Sequence, residues 1–156
     1  MQPDSPRTDL RPVLVVEDSD DDFDTVVSAA ARAKVPNLLV RAADAEGARR
    51  LLAVDAAGSF AFMLLDYNLR GLDGLALLEQ VRRDGSLAGL PVVVFTTSVN
   101  PRDRDVFFEA GASAFHVKSV QYADCLGTLQ SIFGQWLNRS PPPKDAAAPS
   151  AARSTA

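Results

Sequence analysis

The chain has 156 residues, 47% of them apolar and 23% charged, with 16 basic against 20 acidic side chains and a net charge of −4. That length suits one domain with a sizeable core, and that apolar content excludes disorder throughout. No long uninterrupted apolar run is present, which excludes a membrane span, and the acidic balance argues against a nucleic-acid partner, because duplex binders carry a basic excess.

Residues 1–11 are polar, with two prolines and no apolar h-region. They read as a disordered tail rather than a secretory signal, and a cytoplasmic setting is the expectation. Val13-Leu14-Val15-Val16 is a strand-like run ended by Glu17-Asp18. Residues 20–33 follow, with Phe23, Val26, Val27 and Ala30 on one helical face. Leu38-Leu39-Val40 is a short strand, and residues 44–54 read as a helix capped by Asp44, with Ala48, Leu51 and Leu52 facing in. Residues 60–65 form a third strand ending at Asp66, and residues 73–83 a helix through Leu75, Leu78 and Val81. Val92-Val93-Val94-Phe95 is a fourth strand ending at Thr96. Asn100-Pro101 reads as a cap with proline at the first helical position, in a helix stopped by Gly111. Residues 114–117 make a fifth strand ending at Lys118, and residues 121–137 the last helix. Residues 140–156, rich in Pro, Ala and Ser, read as a second disordered tail, which leaves a domain over residues 12–139.

Strands apolar on both faces and joined by helices form a parallel sheet covered on both sides. Right-handed crossovers leave few arrangements, and the expected fold is α/β, a doubly wound five-stranded parallel sheet in the order 2-1-3-4-5. Four of the five strands end in polar residues: Glu17-Asp18, Asp66, Thr96 and Lys118. In an open parallel sheet those ends share the edge where ligands bind, and the order brings Asp18 and Asp66 face to face. Three crowded carboxylates repel one another unless a cation lies between them. Mg²⁺ takes oxygen ligands and keeps several waters; a lysine supplies a point charge to a phosphoryl oxygen and a threonine hydroxyl a hydrogen bond. A carboxylate, a divalent cation, a lysine and a hydroxyl are the parts needed to form an aspartyl phosphate.

Val15-Val16-Glu17-Asp18-Ser19, Leu64-Leu65-Asp66-Tyr67-Asn68-Leu69, Asp73-Gly74, residues 90–98, Gly111-Ala112 and Val117-Lys118 follow one another in this order. Together they resemble the receiver domains of two-component response regulators, over about residues 12–137. The resemblance implies a flavodoxin-like receiver fold with Asp66 as phosphoacceptor. It makes Asp18 and Asp66 side-chain Mg²⁺ ligands, the Asn68 backbone carbonyl a third, and Glu17 the holder of metal-bound water. Thr96 becomes the switch hydroxyl, Lys118 the phosphoryl-binding cation and Phe115 the rotating aromatic, while Asn68 and Ser98 flank the path of the hydrolytic water. Three departures stand out: Arg70-Gly71 and Ser119 occupy places where the family tends to have proline, and Phe115 lacks the hydroxyl of the commoner tyrosine. Residues 132–137, ahead of the Pro-rich end, resemble the ends of single-domain regulators that partner bacterial phytochromes.

The implied function is a stand-alone regulator, a signalling protein rather than an enzyme. It takes a phosphoryl group from a sensor histidine kinase onto Asp66 with Mg²⁺ and signals through protein contacts or phosphorelay. A haloacid-dehalogenase-type phosphatase also uses a strand-end aspartate, but wants an Asp-x-Asp pair where this chain has Tyr67 and Asn68. An adaptor that is never phosphorylated has no need of the intact Glu17, Asp18, Asp66, Thr96 and Lys118 set. Blander readings cover the rest. Asp20, Asp21, Asp22 and Asp24 suit the first turn of a helix, whose dipole welcomes negative charge. Asp73 suits a helix start, His116 a strand position facing solvent, and the lone Cys125 a small hydrophobe. In the last helix Leu126, Leu129, Phe133 and Trp136 form one stripe, which Cys125, Ile132 and Leu137 widen. That width suits either a broad core face or a pairing face. In the second case Phe133 and Trp136 anchor a two-fold homodimer through the fourth and fifth helices and the fifth strand.

Overall fold

The computed structural model describes residues 10–54, 59–66 and 74–137. Asn68, Asp73, the Arg70-Gly71 departure and nearly all of both expected tails lie outside the described residues. The elements run β1 (Val13–Val16), α1 (Asp20–Arg32), β2 (Leu39–Ala42), α2 (Ala45–Val54), β3 (Met63–Asp66), α3 (Gly74–Arg83), β4 (Val92–Thr96), α4 (Pro101–Glu109), β5 (Ala114–Val117) and α5 (Tyr122–Leu137). The five strands form one parallel sheet in the order β2-β1-β3-β4-β5, as expected. No helix among the described residues is long and apolar enough to cross a membrane.

Alternation along the strands sends successive side chains to opposite faces. Leu14, Val16, Met63, Leu65, Val92 and Val94 join one core with residues of α2 and α3. Val13, Val15, Leu64, Val93 and Phe95 join the other, against α1 and α5. Both faces of the sheet are therefore dry, which is why its strands read as unbroken apolar runs.

Helix starts follow their caps. Ser19 Oγ accepts from Asp22 N at 3.2 Å, Asp44 Oδ1 from Gly47 N at 2.7 Å, and Asn100 Oδ1 from Arg102 N at 2.9 Å ahead of Pro101. Gly111, at φ +110°, ends α4 in a conformation that side chains rarely adopt.

Several expectations are corrected. β2 begins at Leu39 and runs to Ala42, because Arg41 and Ala42 pair with Val15 and Val16, while Leu38 is exposed. β3 begins at Met63, and Phe60, Ala61 and Phe62 are buried ahead of it. A turn of 3-10 helix at Gly85–Leu87, capped by Asp84, has no counterpart in the sequence reading. Phe133 is not on a pairing face: it is 1% exposed, and its ring centroid lies 6.2 Å from that of Phe62. The width of the α5 stripe answers to the sheet and α1, which together cover Leu126, Leu129, Ile132, Phe133 and Leu137, with Trp136 half-buried at the margin. His116 is half-buried rather than facing solvent, and burial, with the charge of Arg104 beside it, holds its imidazole below the usual range.

Candidate functional site

Strand register assembles the site. Val16 pairs with Leu65, Asp66 with Phe95, and Thr96 with Val117. The residues at or one step beyond these pairs, Glu17, Asp66, Thr96 and Lys118, therefore come level along the carboxyl edge of the sheet. Glu17, Asp66 and Thr96 are all buried, at 3%, 4% and 0% exposure. Polar groups so enclosed need partners.

Lys118 is the hub. Its Nζ donates to Asp66 Oδ2 at 3.2 Å, to Glu17 Oε1 at 3.3 Å and to Asp22 Oδ2 at 3.3 Å. It also lies 5.5 Å from the centroid of the Phe95 ring. Burial works against its charge, but Asp66, Glu17 and Asp22 outweigh burial and hold its pKa above the usual lysine range.

Glu17 is pulled several ways. Its Oε2 accepts from Ser19 N at 3.3 Å, and its backbone carbonyl accepts from Arg41 Nε at 2.9 Å. Burial, then a hydrogen bond with Asp66, then the Asp66 charge push its pKa up to about 8, against the opposing pull of Lys118 and the Ser19 amide. One ammonium does not balance the carboxylates gathered here.

That excess of negative charge is what a divalent cation relieves. Oxygen atoms of Glu17, Asp22 and Asp66 lie within 4.8 Å of one another. All are hard carboxylate donors, the kind Mg²⁺ selects, so the residues present fit such an ion. Asp18, expected as a ligand, is half-exposed next to Glu17 and outside this group of three, where the third carboxylate is that of Asp22, read from sequence as a first-turn residue. Asp22 lies in the first turn of α1, which starts just beyond the β1 end. The Asn68 carbonyl lies outside the described residues.

Thr96 and its neighbours form the other wall. Thr96 Oγ1 accepts from Ser98 N at 3.1 Å, and Thr97 next to it is exposed. Ser98 Oγ is itself engaged, donating to Asp103 Oδ2 at 2.5 Å and accepting from Asn100 N at 3.2 Å, so its hydroxyl is turned toward α4. Phe115 is buried, its ring centroid 6.0 Å from that of Phe107 in α4. The loop after β5 is held without proline: Lys118 N donates to Thr96 O at 2.6 Å, and Ser119 Oγ accepts from Gln121 N at 3.0 Å. The arrangement offers a buried carboxylate beside an ammonium, a hydroxyl and a seat for a cation, which is a place for a phosphoryl group.

Comparison with known proteins agrees with this geometry. The family model of the response regulator receiver domain matches residues 13–130. Response regulator Rcp1 of Synechocystis sp. is 29% identical over 131 residues, 80% of this chain and 88% of that protein. Its Mn²⁺-bound crystal structure superposes with a TM-score of 0.75 at 26% identity, covering 90% of this chain and 99% of that one. The phosphorylated cyanobacterial phytochrome response regulator RcpA gives a TM-score of 0.75 at 27% identity, with the same coverage of 90% and 99%. The probable methanogenesis regulatory protein FilR2 of Methanothrix harundinacea is 35% identical over 83 residues, and the chain spans about half, 54%, of its length.

Proposed function

Since the chain belongs to the response regulator receiver domain family, we propose that it accepts a phosphoryl group on Asp66 from a phosphohistidine of a sensor histidine kinase. The observation that carries this reading is the buried Asp66 carboxylate with the Lys118 ammonium 3.2 Å away, at a sheet edge that also presents Thr96. An Asp66 oxygen forms a bond to phosphorus, the bond from phosphorus to the kinase imidazole nitrogen breaks, and its electrons return to that nitrogen. Lys118 meets the charge on the phosphoryl oxygens, and the Thr96 hydroxyl donates to another once it turns toward them. Glu17, Asp18, Asp66 and the Asn68 carbonyl would hold Mg²⁺, which when bound neutralises charge on the phosphoryl group.

Similarity to the cyanobacterial phytochrome response regulator RcpA supports a phytochrome-type kinase as donor. Output runs through protein contacts or onward phosphotransfer. Exposed Val106, Phe108, Val117, Val120 and Tyr122, along α4, β5 and the start of α5, are the apolar side chains a two-fold pair on that face would cover.

Acetyl phosphate with Mg²⁺ tests the core of the reading. Intact mass should show one added phosphoryl group, absent from Asp66→Asn; equal labelling of both chains would overturn it.

A further inference from the structure

Three carboxylates share the Lys118 ammonium, and the reading above gives no task to this contact of Asp22. An ammonium has three donors, and the contacts to Asp66, Glu17 and Asp22, at 3.2, 3.3 and 3.3 Å, match that number. The Asp66 and Glu17 side chains are 5% and 4% exposed and come from strand ends, while Asp22 is 52% exposed and comes from the first turn of α1. Its backbone is fixed there, since Asp22 N donates to the Ser19 cap at 3.2 Å.

The reaction treats the three partners differently. Phosphorylation converts Asp66 into an acyl phosphate, and a cation draws Glu17 and Asp66 toward itself. The cation competes with Lys118 for Glu17, and phosphorylation exchanges the Asp66 carboxylate for phosphoryl oxygens, so both buried contacts of the ammonium are remade during the transfer. Asp22 stands on the solvent side of the ammonium and loses nothing in the phosphoryl transfer. We propose that Asp22 is a positioning residue for Lys118, holding the ammonium at the sheet edge from α1 while Glu17 and Asp66 are engaged elsewhere. The proposal rests on the reading of Lys118 as the phosphoryl-binding cation. Asp22 touches neither phosphorus nor donor; it acts through the lysine.

The test uses the full chain with Asp22→Asn, Asp22→Ala and Asp22→Glu. The rate of phosphorylation by acetyl phosphate at saturating Mg²⁺ should fall about three- to tenfold in the first two, the range of a partly exposed ion pair, and return to within about twofold in the third. Calorimetric titration with Mg²⁺ alone should give an unchanged Kd. The ¹⁵N signal of the Lys118 ammonium, protected from exchange in the parent, should be lost in Asp22→Asn and kept in Asp22→Glu. A fall in Mg²⁺ affinity matching the fall in rate would make Asp22 a metal ligand and overturn the proposal. Indifference of both the rate and the Lys118 signal would overturn it as well. If the parent chain takes up no phosphoryl group, the Asp66 reading fails, and the Lys118 signal in the unphosphorylated chain still decides whether Asp22 holds the ammonium.

Discussion

Glu17 concentrates the conflict of the site in one side chain. In the unfolded chain it titrates near its ordinary 4.5, and in the folded chain without metal at about 8. Between these values the folded state binds more protons, so stability falls as pH rises through the window and levels off above it. Urea unfolding in a chelator should show this decline from about pH 5 to 8, with a slope of at most about 1.4 kcal/mol per pH unit. Glu17→Gln should flatten it and be the more stable chain at the alkaline end; an unchanged slope in Glu17→Gln would place the titration elsewhere. Mg²⁺ favours the anion, so its binding near neutral pH should release protons. Glu17, Asp66, Thr96 and Lys118 were legible in the sequence because each is a polar residue closing an apolar run, and parallel register brings such ends together. Asp22 was not. Its neighbours Asp20, Asp21 and Asp24 offer the same charge to the same helix dipole, and only the rotation of α1 on the sheet separates the one that reaches Lys118.

Secondary-structure elements were legible where local chemistry decides them and blurred where pairing does. Caps at Asp44 and Asn100 and the stop at Gly111 mark helix ends through bonds made within a few residues. The starts of β2 and β3 depend on which residues find partners in β1, and nothing local to Leu38 or Phe60 announces that. Gly111 gives a sharp test. A Cβ there would lie 2.7 Å from Arg82 Cγ, at φ +110°, and Arg82 Nε donates to the Gly111 carbonyl at 2.9 Å. Gly111→Ala should therefore cost about 1–3 kcal/mol, read from denaturant midpoints, through strain and a displaced Arg82. Full stability in Gly111→Ala would show that the α3–α4 side yields more easily than this packing suggests. In α5, apolar width announced burial but not by what. Phe133→Ala should cost about 3–5 kcal/mol of fold stability, the usual range for a buried aromatic, through the cavity left against Phe62.

At the scale of the whole molecule, association is the property most worth measuring. Val120, at 98% exposure, and Tyr122 stand on the proposed pairing face. Sedimentation at micromolar concentration should show a dimer weakened by Val120→Asp or Tyr122→Ser. Phe133→Ala would act on folding instead, and a monomer at all concentrations, with and without a phosphoryl mimic, would remove the pair. The fold class was legible because two dry faces force apolar strands and amphipathic helices into alternation; how copies meet was not, since exposed apolar residues carry no period. Lys118 meets Asp66 across 52 residues of sequence and Glu17 across 101. Contacts that far apart close late and slow the search for the native state. A nascent chain can emerge from the ribosome with Asp66 already exposed and still have no ammonium beside it until β5 docks on β4. The charge cluster at the sheet edge is therefore completed only when β5 docks, and a chain short of it holds its carboxylates without their ammonium.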